Sequence, residues 1–237
     1  MRNETLLAID EKYGIENIKK NMYSGIICDV LDQMGYREQA LNNQINGLND
    51  ETVIFGPAFT SIGTTVYSMP ENPLIAQTKV VDQLGEGEIY VLVTRGEYNC
   101  AVFGEIFATR VMKKGGAGVL LDAYARDLKE LKSMSLNGSD GFPVFFRGKS
   151  PHTSKGRCEI NECQIPVIME GACKYSVTIN PGDYIFGDID GVVIIPKDII
   201  MEVLERSFDT IEKENETRKG LLEGKSLQEV YAIHGTI

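Results

Sequence analysis

The segment between Glu88 and Asp122 constrains the fold most, because it contains a strand, a helix and a second strand in direct succession. "EIYVLVTR" and "AGVLLD" are short apolar runs of the kind typical of strands buried on both faces. Between them, apolar residues recur at helical spacing until Gly115 and Gly116 end the helix. The residues on that helical face are Phe107, Ala108, Val111 and Met112. Such a unit predicts parallel strands and therefore an α/β fold.

The remaining patterns predict further helices and strands around this unit. Helices are expected at 4–35 (two helices), at 72–84, from Leu128 onward, at 197–222 and at 226–235. Strands are expected at 53–62 (interrupted at Gly56 and Pro57), 142–148, 163–169, 175–179 and 183–196, with a polar loop at 150–157. Since no repeat or linker is visible, we predict a single domain over residues 1–237 in which helices surround a mixed sheet, with a helical C-terminal tail over about 197–237.

The charge and the apolar content of the chain exclude several classes of partner. A net charge of −10 repels nucleic acid and anionic lipid, whereas a small anionic substrate can still bind through local positive charge. No apolar stretch reaches the ~18 residues that a membrane span needs. The first residues, "MRNETLLAIDEKYG", carry acids where a signal peptide is apolar. We therefore expect a cytoplasmic protein with neither a nucleic-acid nor a membrane partner.

The five cysteines are odd in number and irregularly spaced, which predicts reduced thiols and not a disulfide framework. Cys158, Cys163 and Cys173 lie close enough in sequence to suggest a zinc site. However, the C-x4-C spacing fits zinc poorly, and His152 is the one imidazole nearby. Ordinary buried cysteines are the favoured interpretation.

Arg126 and Asp127 directly follow the second strand of the opening unit, where α/β proteins gather their ligands. An arginine fork suits a carboxylate or a developing oxyanion, and an aspartate oxygen suits Mg²⁺ or Mn²⁺. The pair can thus hold an anionic keto acid together with a metal. The alternative is that Asp127 is only the N-cap of the next helix and that Arg126 is solvated.

Gly104 supplies the other half of this candidate site, because it opens the predicted helix. The backbone N–H groups of Glu105, Ile106 and Phe107 have no partner within a helix and favour a bound anion. The Glu105 side chain also lies at this end of the helix. Its alternative interpretation is an acid of the first turn that complements the helix dipole.

Gly104-Glu105 is followed, after twenty residues, by Arg126-Asp127. This spacing resembles that of the RraA-like family, which includes regulators of ribonuclease E activity and class II pyruvate aldolases. Other segments are similar to this family in the same order: "CDVLDQMG", "GPAFT", "NPGDYIFGDIDGVVIIP" and "EKENETRKGLLEGKSLQEVY". The resemblance implies an α/β/α sandwich of the swivelling phosphohistidine-domain type. It also implies homotrimers or homohexamers with sites at subunit interfaces.

The resemblance further implies a lyase of the 4-hydroxy-4-methyl-2-oxoglutarate aldolase type that also decarboxylates oxaloacetate. Carried onto this chain, Asp127 would hold Mg²⁺ or Mn²⁺, and Arg126 would bind the keto oxygen. The amides from Gly104 to Phe107 would hold the substrate carboxylate, and Glu105 would move a proton through a water molecule. A carboxylate from a neighbouring subunit is also implied, and Glu214 or Glu216 would supply it.

Two departures from the family pattern bear on the substrate. Ala123 stands where the aldolases usually have glycine, and Ala76 stands where they often have a histidine that relays protons. The missing histidine favours decarboxylation, or a different acceptor aldehyde, over cleavage of the typical substrate. In the loop "RGKSPHTSKGR", Arg147, Lys149 or His152 is expected to bind a second carboxylate, although His152 also fits a plain exposed loop residue.

The alternative function is a non-catalytic regulator of the ribonuclease E inhibitor type, with the acidic surface binding a basic partner. Methyl transfer to menaquinone, a third label used in the family, is rejected because no G-x-G-x-x-G fingerprint joins a strand to a helix.

Overall fold

The computed structural model describes residues 4–95, 100–136 and 138–234, and the α/β class expected from the sequence is confirmed. Its helices are α1 (Glu4–Tyr13), α2 (Ile15–Asn21), α3 (Ser24–Gln33), α4 (Ile75–Val81), α5 (Glu105–Lys113), α6 (Leu128–Ser133), α7 (Ile200–Leu222) and α8 (Leu227–His234). Its strands are β1 (Asn46–Gly47), β2 (Ile54–Thr65), β3 (Ile89–Val93), β4 (Ala101–Phe103), β5 (Gly118–Ala125), β6 (Val144–Lys149), β7 (Cys158–Cys163), β8 (Val167–Glu170), β9 (Ser176–Ile179), β10 (Tyr184–Asp188) and β11 (Gly191–Ile195).

Nine of the described strands form one mixed sheet with the order β1-β6-β5-β3-β2-β10-β11, in which β4 also pairs with β5 and β7 with β2. The pairs β2–β3, β3–β5, β4–β5 and β5–β6 are parallel, as the strand–helix–strand pattern predicted. Strands β8 and β9 form a separate antiparallel hairpin. The carboxyl ends of β3, β4, β5 and β6 therefore meet at one edge of the sheet, where ligands gather in α/β folds.

The sheet curves into a near-barrel, and alternate residues of each strand pack on its two faces. On β5, Leu120 packs on the inner face, in a core shared with the β8–β9 hairpin. Its neighbours Val119 and Leu121 pack outward against α4, α5 and α6. On the other flank, outward residues of β10 and β11 pack against α1, α2, α3 and α7. Helices thus lie outside both flanks of the curved sheet, and the predicted α/β fold with a C-terminal helix is confirmed.

Two predicted boundaries near the N-terminus were wrong. Residues 4–35 contain three helices and not two, because Gly14 with φ of 75° ends α1 and extended residues separate α2 from α3. Strand β2 also runs without a break through Gly56 and Pro57. It stays continuous because β10 pairs with this part of the strand, and because Gly56 leaves room for the Gly87 carbonyl oxygen.

The strand predicted at 163–169 was wrong in its bounds, because it joins the last residue of β7 to most of β8. Gln164 has a left-handed backbone, with φ of 56°, and the strands before and after it pair with different neighbouring strands. Strand β7, which the sequence pattern did not predict, pairs with β2, whereas β8 pairs with β9. Strand β4 was also missed, because its three residues form a strand only through their partner β5.

The membrane and cysteine predictions are consistent with this architecture. No helix among the described residues is both long enough and apolar enough to cross a membrane. All five cysteines are free thiols. Burial raises the pKa of Cys28 to about 11 and also raises the pKa of Cys100, so both remain protonated near neutral pH. The described residues contain no group of three or more His, Cys, Asp or Glu side chains placed to hold a metal, which leaves the zinc interpretation unsupported.

Candidate functional site

The candidate site lies where β4 and β5 end side by side. Strand β4 ends at Phe103 and β5 ends at Ala125, and the two strands are parallel. The Arg126 backbone N–H donates a hydrogen bond to the Phe103 carbonyl oxygen over 2.9 Å. The pairing of these two strands therefore brings Gly104 and Arg126 together, although they are far apart in sequence.

Gly104 is required for space and not for backbone conformation. Its φ of −160° is extended backbone that any residue can adopt. A Cβ atom at this position would overlap Asp127 Oδ2 and would lie 3.1 Å from Arg126 Cγ. The absent side chain thus forms the recess in which the Asp127 carboxylate lies, directly beside the start of α5.

Asp127 stands at the N-cap position of α6, but its side chain caps no backbone N–H group. Its backbone is left-handed, with φ of 57°, a conformation that costs a non-glycine residue about 1 kcal/mol or more, less for aspartate than for most. Arg126 Nε lies 3.6 Å from Asp127 Oδ2, and the two side chains are 41% and 40% exposed. Asp127 thus has the N-cap position but makes no side-chain capping bond, and its carboxylate is half-exposed.

The N-terminus of α5 faces the same recess. The Ala108 N–H donates to the Gly104 carbonyl oxygen over 3.1 Å, so the amides of Glu105, Ile106 and Phe107 precede the hydrogen-bond series of the helix. These amides carry the positive end of the helix dipole. Phe107 stacks on Phe103 with ring centroids 6.2 Å apart, which fixes the first turn of α5 against the sheet.

A pocket of about 290 Å³ connects these groups. The predicted residues Gly104, Ile106, Phe107, Arg126 and Asp127 all line it. The pocket has further lining residues that we did not predict, and these are Leu74, Thr78, Ala101, Val102, Phe103, Thr153, Ser154 and Lys155. The loop containing Thr153 was recognised as polar, but only its bridge to Ala101 places it at the pocket.

The pocket is not lined by four of the predicted residues, which are Glu105, Arg147, Lys149 and His152. The Glu105 carboxylate accepts a hydrogen bond from the Thr109 hydroxyl over 2.8 Å and does not line the pocket. Arg147 lies on the inner face of the sheet, where its Nε is 2.6 Å from Asp122 Oδ1. His152 is an exposed loop residue, and its backbone carbonyl accepts from the Ala101 N–H. The structure thus separates Arg147 from the carboxylate that it was expected to bind.

Glu214 is engaged within its own subunit. The Tyr23 hydroxyl donates a hydrogen bond to its carboxylate, and Arg218 Nη2 lies 3.8 Å from it. Burial, together with this hydrogen bond, raises the pKa of Tyr23 to about 12. Glu214 and Glu216 both lie on α7, and neither lines the Arg126–Asp127 pocket of this chain. A contribution from either residue to a neighbouring subunit stays a prediction.

The residues at the pocket fit a hard divalent cation. Asp127 supplies the one carboxylate among the described lining residues. This carboxylate lies in the recess at Gly104, makes no capping hydrogen bond to α6 and is half-exposed. Mg²⁺ usually keeps several waters and needs one or two protein carboxylates plus substrate oxygens. One aspartate beside a guanidinium and a helix N-terminus therefore suits a metal that is held jointly with an anionic substrate.

Fold and site together define an α/β protein with a half-exposed arginine–aspartate pair beside a helix N-terminus at the carboxyl edge of its sheet. The family model described as "RraA-like: Aldolase/RraA" matches residues 25–194, and the chain belongs to the RraA-like family. The resemblance drawn from the motifs is thereby confirmed.

Individual relatives agree with this assignment. An uncharacterised protein of Methanocaldococcus jannaschii is 29% identical over 90% of this chain and 92% of its own length. A protein of Halalkalibacterium halodurans, named as a candidate 4-hydroxy-4-methyl-2-oxoglutarate aldolase, is 29% identical over 76% of each chain. The structure of Streptomyces coelicolor RraAS2, described as an unusual member of the RNase ES inhibitor RraA family, superposes with a TM-score of 0.71. That superposition covers 92% of this chain and 98% of the other at 23% identity, and it shows a shared fold.

Proposed function

We propose that this protein is a carbon–carbon lyase that depends on Mg²⁺ or Mn²⁺ and cleaves or decarboxylates small 2-oxo acids through a pyruvate enolate. The observation that carries the proposal is the contact at Gly104, where the uncapped Asp127 carboxylate, the Arg126 side chain and the N-terminus of α5 meet. Relatives named as candidate 4-hydroxy-4-methyl-2-oxoglutarate aldolases support the same class of chemistry.

Each group has a role that follows from its position. The amides of Glu105, Ile106 and Phe107 bind the carboxylate at C1 of the substrate. The Arg126 guanidinium donates hydrogen bonds to the C2 oxygen and stabilises the negative charge that develops there as the C3–C4 bond breaks. Asp127 would hold the cation, which would supply Lewis-acid stabilisation of the enolate charge. No lysine Schiff base is required.

Proton transfer is assigned to Glu105. The Glu105 carboxylate lies in the first turn of α5 and is hydrogen-bonded to Thr109, so a water molecule must connect it to the substrate. In an aldol cleavage it removes the proton of the C4 hydroxyl group, and afterwards it returns a proton to the enolate carbon. Decarboxylation needs no base at C4, because CO₂ leaves and only the enolate has to be stabilised.

Decarboxylation of oxaloacetate is the proposed test reaction because of the residue at position 76. Ala76 lies on α4 and packs against the core, so this helix offers no imidazole for proton relay. A reaction that requires only stabilisation of the enolate is less affected by this absence than cleavage of a 4-hydroxy acid.

The first experiment measures pyruvate release from oxaloacetate with Mg²⁺ or Mn²⁺, after subtraction of the rate with metal alone. We expect turnover that EDTA abolishes and that Arg126→Ala lowers by about 10²-fold, the typical loss when one oxyanion donor is removed. Asp127→Ala should behave like the EDTA-treated protein. Lys213→Gln, which changes an exposed charge on α7, is the control and should retain wild-type activity. Background rates from all the proteins would reject the lyase proposal.

A second candidate function is a binding regulator of the ribonuclease E inhibitor type. The net charge of −10 and the fold shared with RraAS2 favour it. Binding of this kind would survive EDTA and the substitution Arg126→Ala, whereas lyase activity would not. Trimers or hexamers, which the family resemblance implies, are proposed for either function, and light scattering would measure them.

A further inference from the structure

A second pocket lies on the inner face of the sheet, on the other side of β5 from the Arg126–Asp127 pair. It has a volume of about 500 Å³, within the range of small-molecule sites, and it opens at the mouth of the near-barrel under the β8–β9 hairpin. Its apolar walls include Ile62, Val93, Val167 and Met169, which belong to the inner core. The pocket is therefore built from rigid strands and not from surface loops alone.

The charged floor of this pocket is fixed. Arg147 and Asp122 line it, and their side chains are each only 6% exposed. Arg147 Nε lies 2.6 Å from Asp122 Oδ1, and its Nη1 donates to Gln44 Oε1 over 3.0 Å. Glu170 Oε2 lies 3.8 Å from the same Nη1. The guanidinium is thus held in one position at a desolvated surface, which strengthens its interaction with a ligand charge.

The rim of the pocket adds two cations. Arg95 and Lys174 both line it, Arg95 after the end of β3 and Lys174 in the turn of the β8–β9 hairpin. Both are exposed, and both have left-handed backbones, with φ of 52° and 63°. Three cations therefore face two carboxylates in this pocket, whereas the whole chain carries a net charge of −10. The charged side chains that line the pocket therefore sum to a positive charge, opposite in sign to the net charge of the whole chain.

We propose that this pocket is a second ligand site, which binds a small organic acid that has one carboxylate and a short apolar body. The carboxylate lies toward Arg95, Lys174 and Arg147, and the apolar body lies against Val167 and Met169. The two pockets have no lining residue in common, so a ligand bound here does not occupy the Arg126–Asp127 pocket.

The test is a titration of the full-length protein with hexanoate, using the neutral amide hexanamide as the matched probe. The methyl group of Met169 lines the proposed site, whereas Met69 lies beside Gly156, next to the other pocket. Methyl NMR of ¹³C-methionine therefore reports which pocket the probe enters, with Met169→Leu assigning the signal. We expect hexanoate to shift the Met169 signal in a saturable way, and hexanamide to leave it unchanged.

Variants then test the role of charge. In the double variant Arg95→Asn/Lys174→Asn, asparagine tolerates the left-handed backbone and removes both rim charges. It should weaken hexanoate binding by about tenfold, because the two exposed charges that attract the carboxylate are removed. Lys213→Gln and Arg126→Ala should bind hexanoate like the wild type. The proposal would be overturned if hexanoate did not shift the Met169 signal, or if hexanamide bound as tightly as hexanoate. It would also be overturned if Arg126→Ala lost hexanoate binding while the Arg95→Asn/Lys174→Asn variant kept it.

Discussion

Two arginine–aspartate pairs lie around β5 in the described part of the chain, and they differ in burial and in distance. Arg147 and Asp122 are buried, with 2.6 Å between Nε and Oδ1 and 6% exposure on each side. Arg126 and Asp127 are about 40% exposed, with 3.6 Å between Nε and Oδ2. The residue types are the same, but the surroundings differ, because Asp122 points to the inner face of the sheet and Asp127 lies beyond its end.

This difference separates a tight, buried ion pair from a loose, half-exposed pair. Two desolvated charges at 2.6 Å depend on each other, since removing one leaves the other buried without its counter-charge. Two half-exposed charges at 3.6 Å attract each other weakly in water, and each can exchange its partner for a substrate or a metal. The loose pair is therefore the one that can serve catalysis.

The largest effect is expected for Asp122→Asn, which leaves Arg147 buried without this carboxylate. Such a loss costs about 3–5 kcal/mol of unfolding free energy. Urea denaturation would compare the free energies of unfolding of Asp122→Asn and Asp127→Asn. The second substitution should cost less than ~1 kcal/mol, because Asp127 is half-exposed.

A double replacement sharpens this first prediction. Asp122→Leu combined with Arg147→Met removes both charges and should recover most of the loss, because apolar side chains of similar size often replace a buried pair without cost. Equal stabilities of Asp122→Asn and Asp127→Asn would show that burial does not distinguish the two pairs.

A smaller effect is expected for Gly104→Ala, which changes activity and not the overall fold. The new Cβ would overlap Asp127 Oδ2, so the carboxylate must move away from its recess. A displacement of this size should lower pyruvate release from oxaloacetate by about 10²-fold. Gly25→Ala is the matched control, since its Cβ would meet nothing closer than 3.7 Å, at Tyr23 Cδ2. If Gly104→Ala kept wild-type activity, the contact at Gly104 would not be needed for the reaction, and the proposed function would lose its main support.

The smallest effect is expected for the mutual attraction of Arg126 and Asp127. A double-mutant cycle with Arg126→Ala and Asp127→Ala, followed by urea denaturation, should give a coupling energy of only about 0.2–1 kcal/mol. High salt should reduce this coupling further. A coupling of several kcal/mol would mean that the pair is structural, like the pair between Arg147 and Asp122.

Local patterns were sufficient to predict the elements of this site but not all of its surroundings. The apolar run before Asp122 and the helical spacing after Gly104 depend on neighbours in sequence, and both predictions were confirmed. Lys155 and Thr78 were missed as pocket residues. Their positions depend on contacts between distant segments, such as the bridge between Ala101 and Thr153.

The sequence by itself determined the α/β class and the strand–helix–strand unit from Glu88 to Asp122, whereas it linked Gly104 to Arg126 and Asp127 only through the family resemblance. These features follow from hydrophobic periodicity and from residues that act within a few positions of one another. Only the tertiary structure decided that Arg147 faces Asp122 on the inner side of the sheet, away from the site that it was expected to serve. Successive strand residues point to opposite faces, and which face is enclosed depends on the packing of helices and hairpin around the curved sheet.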